Sequence, residues 1–122
     1  MIQLLILNAA AGEDLNLLFI CSENRLRSPT AESVFCAYEG FFAIGCGTNA
    51  DAATSLSGDL IEWADVIFVM EQSHKSKVTK KYSALLKGKR LICLAIADNY
   101  QCMQPELVQL LKQKVAMHIH LN

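Results

Sequence analysis

The sequence predicts one α/β domain, a three-layer sandwich in which a four-stranded parallel sheet is flanked by helices. Apolar runs of strand length alternate with helical patterns along the chain, which is typical of strand-helix-strand units. Several runs are continuously apolar, as expected for parallel strands buried on both faces. A chain of 122 residues is enough for one domain that removes about two-thirds of its unfolded surface from water.

The first half of the chain predicts two strands and the helix between them. Residues 15–20 are a short apolar run and predict the first core strand. Ser28 is expected to cap the next helix, whose pattern continues over residues 30–38. A second strand is predicted at residues 41–46, and the small polar residues 48–57 predict a loop.

The second half predicts two strands and three helices. In chain order these are a helix at 59–64, a strand at 66–70, a charged helix at 71–81, a short helical or irregular connection at 82–88, a strand at 91–96 and a helix from 105 to about 118. In an open parallel sheet the carboxyl ends of all strands lie along one edge. The loops that follow the strands are therefore expected to converge there.

Residues 1–14 are assigned to an N-terminal extension or an extra edge strand, and residues 15–122 to the α/β domain. The first eleven residues are apolar, but no lysine or arginine precedes Arg25, so the basic start of a secretion signal is missing. The stretch is also too short to span a bilayer.

Charge and cysteine content narrow the choice of partners and compartment. The formal net charge of −1 gives no general attraction to nucleic acid or to anionic membranes, so neither is expected as a partner. The chain has five cysteines, an odd number at irregular spacing, which favours reduced thiols and a cytoplasmic location. The oligomeric state is not indicated.

The run from Cys21 to Arg27 has the layout of a phosphate-binding loop around a nucleophilic cysteine. Backbone amides in a tight loop between a strand and a helix can point inward and bind an anion, and the helix dipole adds to this. The same donors would stabilise a thiolate at Cys21. Arg27 could bind two phosphate oxygens at once. The predicted phosphate site consists of Ser22, Glu23, Asn24, Arg25, Leu26, Arg27 and Ser28.

Further residues are assigned roles from their positions. Asn24 tolerates left-handed backbone geometry, so loop shaping is favoured over direct substrate contact. Ser28 could also donate a hydrogen bond to the Cys21 sulfur. Asp98 follows the last predicted strand, at the edge of the sheet where the strands end, and is the candidate general acid. The alternative interpretation is that Asp98 lies in a solvated turn without a catalytic role. Tyr100 could form a wall for an aromatic substrate, or simply pack.

Other residues receive structural interpretations. Trp63 is expected in the core. His118 and His120 resemble a metal pair, but no third ligand accompanies them, so no metal is predicted. His74 and the lysines that follow it are interpreted as a solvated helix face.

The run from Cys21 to Glu32 resembles the phosphate-binding signature of the low-molecular-weight protein tyrosine phosphatases. The resemblance extends to residues 61–70 and to Asp98-Asn99-Tyr100, where members carry Asp-Pro-Tyr. It implies a phosphotyrosine phosphatase I-like fold without metal or cofactor. It also implies that Cys21 forms a phosphocysteine, that Arg27 holds the phosphate, and that Asp98 protonates the leaving group and later activates water.

The chain departs from the family pattern at several positions. Glu23 replaces a loop glycine, Leu26 replaces the second cysteine of many members, and Asn99 replaces a proline. Gly45 and Cys46 stand where a loop-supporting serine is expected.

The predicted function is a cysteine-dependent phosphomonoester hydrolase acting on a phosphorylated protein, through phosphotyrosine, or on a small aryl phosphate. One alternative is a non-catalytic module that binds phosphate or a phosphoprotein. Another is an arsenate reductase, for which Cys93 and Cys102 are the candidate relay thiols, although Cys93 is expected to be buried in a strand.

Overall fold

The computed structural model describes residues 14–121, and residues 1–13 of the predicted N-terminal extension lie outside that range. The strands are β1 (Leu15–Cys21), β2 (Phe41–Gly47), β3 (Val66–Val69) and β4 (Arg90–Cys93). The helices are α1 (Arg27–Cys36), α2 (Gly58–Trp63), α3 (Gln72–Tyr82) and α4 (Pro105–Ala116), with a short 3-10 helix at Ser83–Leu86.

The strands form one parallel sheet in the order β2-β1-β3-β4. One apolar cluster joins the sheet to α1 and α4, and the other joins its opposite face to α2 and α3. This confirms the predicted three-layer sandwich. Since the chain leaves β1 toward one face and β3 toward the other, the strand order reverses between them. In such sheets, ligands bind at the carboxyl ends of the strands beside this point.

Alternate residues of β1 belong to the two clusters. Leu17 and Phe19 face the α1 and α4 side, whereas Leu18 and Ile20 face the α2 and α3 side, and all four are fully buried. The Phe19 ring stacks on Phe35 of α1 and Phe68 of β3, with ring centroids 5.3 and 5.2 Å apart. Packing on both faces therefore fixes the strand that ends at Cys21.

The prediction that Ser28 caps the first helix is wrong. Helix α1 begins at Arg27, and its N-cap residue, Leu26, makes no side-chain capping bond. Ser28 lies in the first turn, fully buried, and its hydroxyl lies within hydrogen-bond distance of Cys21 Sγ and Asn24 Oδ1 instead.

The last strand is shorter than the predicted 91–96. β4 ends at Cys93 because Ala95 adopts a positive φ of 54°. The amides of Leu94 and Ile96 still donate to the carbonyls of Val69 and Met70, at 2.8 Å each. The bent segment thus stays attached to β3 and carries Ile96 to the edge of the sheet where β1 ends.

No helix among residues 14–121 is long and apolar enough to cross a membrane.

Candidate active site

Cys21 is the last residue of β1, and residues 22–26 turn tightly into α1. The Cys21 side chain is 3% exposed. Its Sγ accepts a hydrogen bond from the backbone amide of Asn24 at 3.2 Å and lies 2.9 Å from Ser28 Oγ. The sulfur is therefore held inside the loop by two polar groups, which can stabilise a thiolate.

Asn24 and Ser28 hold the loop closed. Asn24 has a φ of 56°, the left-handed conformation for which asparagine is suited. Ser28 Oγ lies 2.6 Å from Asn24 Oδ1 and 3.2 Å from the carbonyl oxygen of Cys46, and its single proton can be donated to either acceptor. This network links the loop, α1 and β2.

Gly45 and Gly47 allow β2 to approach the loop closely. A Cβ atom at Gly45 would lie 2.6 Å from the Ser28 carbonyl oxygen, and one at Gly47 would lie 2.4 Å from the Ser22 carbonyl oxygen. A serine cannot occupy Gly45 in this backbone arrangement. The carbonyl oxygen of Cys46, at 3.2 Å, is an acceptor for the Ser28 hydroxyl at this point of β2.

Arg27 is the first residue of α1 and is 3% exposed. Its Nη1 donates to Glu71 Oε1 and to the carbonyl oxygen of Ile96, at 2.8 Å each. Nε lies 3.7 Å from Asp98 Oδ1. Because Nη1 is occupied, the edge formed by Nε and Nη2 is the one that can bind two oxygens of a phosphate.

Glu71 and His74, at the start of α3, were not among the predicted site residues. The hydrogen bond from Arg27 holds the pKa of Glu71 below its ordinary value. His74 is 1% exposed, so its interpretation as part of a solvated face is wrong. Its Nδ1 accepts from the Glu71 amide at 3.1 Å, and its Nε2 lies 2.9 Å from Ser22 Oγ. The sequence signal is the spacing of the two residues, which matches a capping box directly after a buried strand.

A cavity of about 380 Å³ opens above Cys21. It is lined by Cys21, Ser22, Glu23, Arg25, Leu26, Arg27, Asn49 and Asp98. The Glu23 side chain is 56% exposed and lies 3.6 Å from the guanidinium of Arg25, so its charge is turned outward and partly balanced. Asn49 was not among the predicted site residues. Its backbone amide donates to the Ser22 carbonyl oxygen at 2.9 Å.

Asp98 and Tyr100 occupy different places. Asp98 lines the cavity with a side chain that is 60% exposed. Tyr100 packs against the core cluster on the α1 and α4 side and borders a separate cavity, together with Pro105 and Leu110. Tyr100 is thus not among the residues that line the Cys21 cavity.

Cys21 is the one cysteine that lines this cavity in the described part of the chain. Cys46 is fully buried, and burial together with the neighbouring Cys21 raises the pKa of its thiol to about 12. Cys93 is partly exposed rather than buried, and Cys102 is exposed. Within residues 14–121, no three His, Cys, Asp or Glu side chains are grouped to hold a metal ion.

Comparisons with known proteins identify the fold. No protein-family model matches the chain, and no curated protein matches it. Solved structures do match. The YwlE arginine phosphatase from Geobacillus stearothermophilus is 19% identical over 87% of this chain and 98% of its own, with a TM-score of 0.66.

Two further solved structures have the same fold as this chain. The tyrosine phosphatase Wzb from Escherichia coli K30, in complex with phosphate, is 19% identical, with a TM-score of 0.66 over 85% of this chain and 95% of its own. A low-molecular-weight phosphotyrosine phosphatase from Vibrio cholerae O395 is 17% identical, with a TM-score of 0.64 over 84% and 94%. The chain therefore has the fold of the low-molecular-weight tyrosine phosphatases and the related arginine phosphatases.

Proposed function

We propose that this protein is a cysteine-dependent phosphomonoester hydrolase. The observation that carries the proposal is that Cys21, Arg27 and Asp98 line one cavity at the sheet edge where the strand order reverses. Cys21 supplies a nucleophile, and Arg27 supplies the donors Nε and Nη2, of which Nε faces Asp98 at 3.7 Å. Asp98 supplies an acid on the open side of the cavity. The fold shared with phosphatases, one of them solved with phosphate bound, supports the same chemistry.

The reaction has two steps. In the first, the Cys21 thiolate attacks phosphorus, an S–P bond forms, the ester P–O bond breaks, and the leaving oxygen takes a proton from Asp98. In the second, water attacks phosphorus and gives a proton to the Asp98 carboxylate. The S–P bond then breaks, which releases inorganic phosphate and restores the thiolate.

Arg27 stabilises the charge that is shared by the phosphate oxygens in both steps. Its Nη1 is fixed by Glu71 and by the Ile96 carbonyl oxygen, so the guanidinium is oriented before the substrate arrives. The backbone amide of Asn24, which donates to the Cys21 sulfur, stabilises the thiolate both as nucleophile and as leaving group.

The substrate proposed is phosphotyrosine in a protein, or a small aryl phosphate. The similar structures include enzymes described as tyrosine phosphatases and as an arginine phosphatase. A panel of phosphotyrosine, phosphoserine and phosphoarginine peptides would separate these classes, and hydrolysis of the first alone would support the proposal.

One observation favours a second candidate, a non-catalytic phosphate-binding module. The Asp98 carboxylate lies 3.7 Å from Arg27 Nε, on the edge that would bind phosphate. A carboxylate kept in this ion pair gives no proton to a leaving group, so the site would bind phosphate without cleaving an ester. The arsenate reductase alternative lacks such support, because no second described cysteine lines the cavity.

Release of phenol from an aryl phosphate near pH 6 tests the hydrolase. We expect Cys21→Ser to lower the rate by about a thousandfold or more, because the nucleophile is lost. Cys36→Ser, at an exposed position, is the matched control and should retain activity. An acid-quenched reaction should also contain a phosphocysteine detectable by mass spectrometry. Phosphate binding without any turnover would reject the hydrolase in favour of the binding module.

A further inference from the structure

The hydroxyl of Ser22, the residue after the nucleophile, is linked to the buried ring of His74. His74 is 1% exposed, and its Nε2 lies 2.9 Å from Ser22 Oγ. The other ring nitrogen, Nδ1, accepts a hydrogen bond from the backbone amide of Glu71 at 3.1 Å. The ring therefore lies between the start of α3 and the phosphate loop.

These contacts determine which nitrogen of His74 carries the proton. The Glu71 amide can only donate, so Nδ1 must be unprotonated to accept from it. The proton of the neutral ring then lies on Nε2, which donates to Ser22 Oγ. Burial and the nearby Arg27 and Lys77 cations lower the pKa of His74, against the opposing effect of Glu71 and Asp98. The ring is thus neutral at pH 7, and one tautomer satisfies both contacts.

The direction of this bond decides what Ser22 can do. Since Ser22 Oγ accepts from His74, its own proton is not used in that contact. In the described part of the chain, Ser22 Oγ makes no other hydrogen bond. Ser22 also lines the Cys21 cavity. A hydroxyl with a free proton beside an anion site is a hydrogen-bond donor for the anion.

We propose that His74 is a positioning residue that holds the Ser22 hydroxyl as a side-chain donor to a bound phosphate. The proposal rests on the phosphate-site function proposed above and deepens it. His74 thereby joins two supports of the site. Through the Glu71 backbone it connects to the residue that anchors Arg27, and through Nε2 it orients Ser22. The start of α3 would then organise both the guanidinium and one hydroxyl.

Binding of orthophosphate, measured by calorimetry, is the test. Ser22→Ala removes the donor and should weaken binding by roughly tenfold, since hydrogen bonds to charged groups are among the stronger ones. Ser22→Thr keeps the hydroxyl and should keep most of the affinity. His74→Leu removes the group that orients Ser22 and should weaken binding about as much as Ser22→Ala. His120→Leu, at an exposed position, is the control and should bind as the unmodified protein does.

The double variant separates positioning from a structural role. If His74 acts through Ser22, adding His74→Leu to Ser22→Ala should weaken phosphate binding little further. A role limited to capping α3 predicts instead the same loss whether or not Ser22 has its hydroxyl. His74→Gln presents both an acceptor and a donor, so it should recover much of the affinity. It also covers the case in which His74→Leu fails to fold.

The outcomes distinguish this inference from the hydrolase proposal. Ser22→Ala that binds orthophosphate as tightly as the unmodified protein would overturn the inference and leave the hydrolase intact. Additive losses in the double variant would also overturn it. A protein that binds phosphate with these dependences but never hydrolyses an aryl phosphate would support the inference while rejecting the hydrolase.

Discussion

The Ser28 hydroxyl has one proton and three neighbours, and this limits how the site can work. Oγ lies 2.6 Å from Asn24 Oδ1, 2.9 Å from Cys21 Sγ and 3.2 Å from the Cys46 carbonyl oxygen. When Cys21 is a thiol, its proton can go to Ser28 while Ser28 donates to Asn24. When Cys21 is a thiolate, Ser28 can turn its proton to the sulfur if the Asn24 side-chain amide turns its nitrogen toward Ser28, because two oxygens 2.6 Å apart need a proton between them. The network can thus follow the charge of Cys21 by reorienting two side chains.

Gly45→Ala tests the close contact between β2 and the loop. The new Cβ would lie 2.6 Å from the Ser28 carbonyl oxygen and 2.9 Å from Asn24 Oδ1, so the loop must move. We expect a loss of about 1–3 kcal/mol in the free energy of unfolding, measured in urea, together with most of the aryl phosphatase activity. Gly88→Ala is the control. It has open space and a φ of 77°, and should cost about 1 kcal/mol while preserving activity. Equal effects of the two variants on activity would contradict this account.

At the scale of elements, α3 contributes its first turn to the site and its later turns to the core and surface. Val78 is buried against the sheet, while Lys77 and Lys80 are exposed. Glu71 and His74 form a reciprocal capping box, in which each side chain accepts a bond from the backbone of the other. The end of the helix that faces the phosphate loop is therefore fixed by the same two residues that contact Arg27 and Ser22.

The hydrogen bond from Arg27 to Glu71 and the burial of His74 make stability depend on pH. The pKa values of Glu71 and His74 are both lowered by folding, so each group binds protons more readily in the unfolded chain. Stability should be complete above the ordinary histidine value of 6.5 and should fall as pH decreases below it, with a further loss below the ordinary glutamate value of 4.5. Urea unfolding at pH 7.5, 5.5 and 4, as chosen test conditions, measures this. His74→Gln should flatten the step between pH 7.5 and 5.5, and an unchanged step would show that His74 is not its cause.

At the scale of the whole molecule, the fold was predictable because strand length and apolar content depend on local sequence. The continuous apolar run before Cys21 indicated a buried strand, and alternation with helices indicated a parallel sheet. The left-handed residue Ala95 was not predictable, because alanine has no preference for that conformation. It shortens β4 and places the Ile96 carbonyl oxygen beside Arg27.

The site was partly predictable for a related reason. Cys21, Arg27 and Ser28 lie within one short segment between a strand and a helix, so the whole run, more than the spacing of Cys21 and Arg27, suggested a shared anion site. Glu71 contacts Arg27 and His74 contacts Ser22, and the residues of these pairs are 44 and 52 positions apart in the sequence. Such contacts depend on how α3 packs against the loop, and local patterns do not contain that information.

The aromatic stack at the centre of the sheet contributes strongly to the stability of the whole fold. Phe19 is fully buried between Phe35 and Phe68, two residues before Cys21, whereas Phe42 is 55% exposed on the edge strand β2. Phe19→Ala should lower the free energy of unfolding by about 3–5 kcal/mol, measured in urea, and Phe42→Ala by less than about 1 kcal/mol. Since the free energy of unfolding of such domains is only about 5–15 kcal/mol, the Phe19→Ala variant should lose much of its stability. Orthophosphate at about a hundred times its dissociation constant should restore roughly 2.7 kcal/mol, because it binds only the folded state. Equal effects of the two alanine substitutions would show that the stack does not support the end of β1.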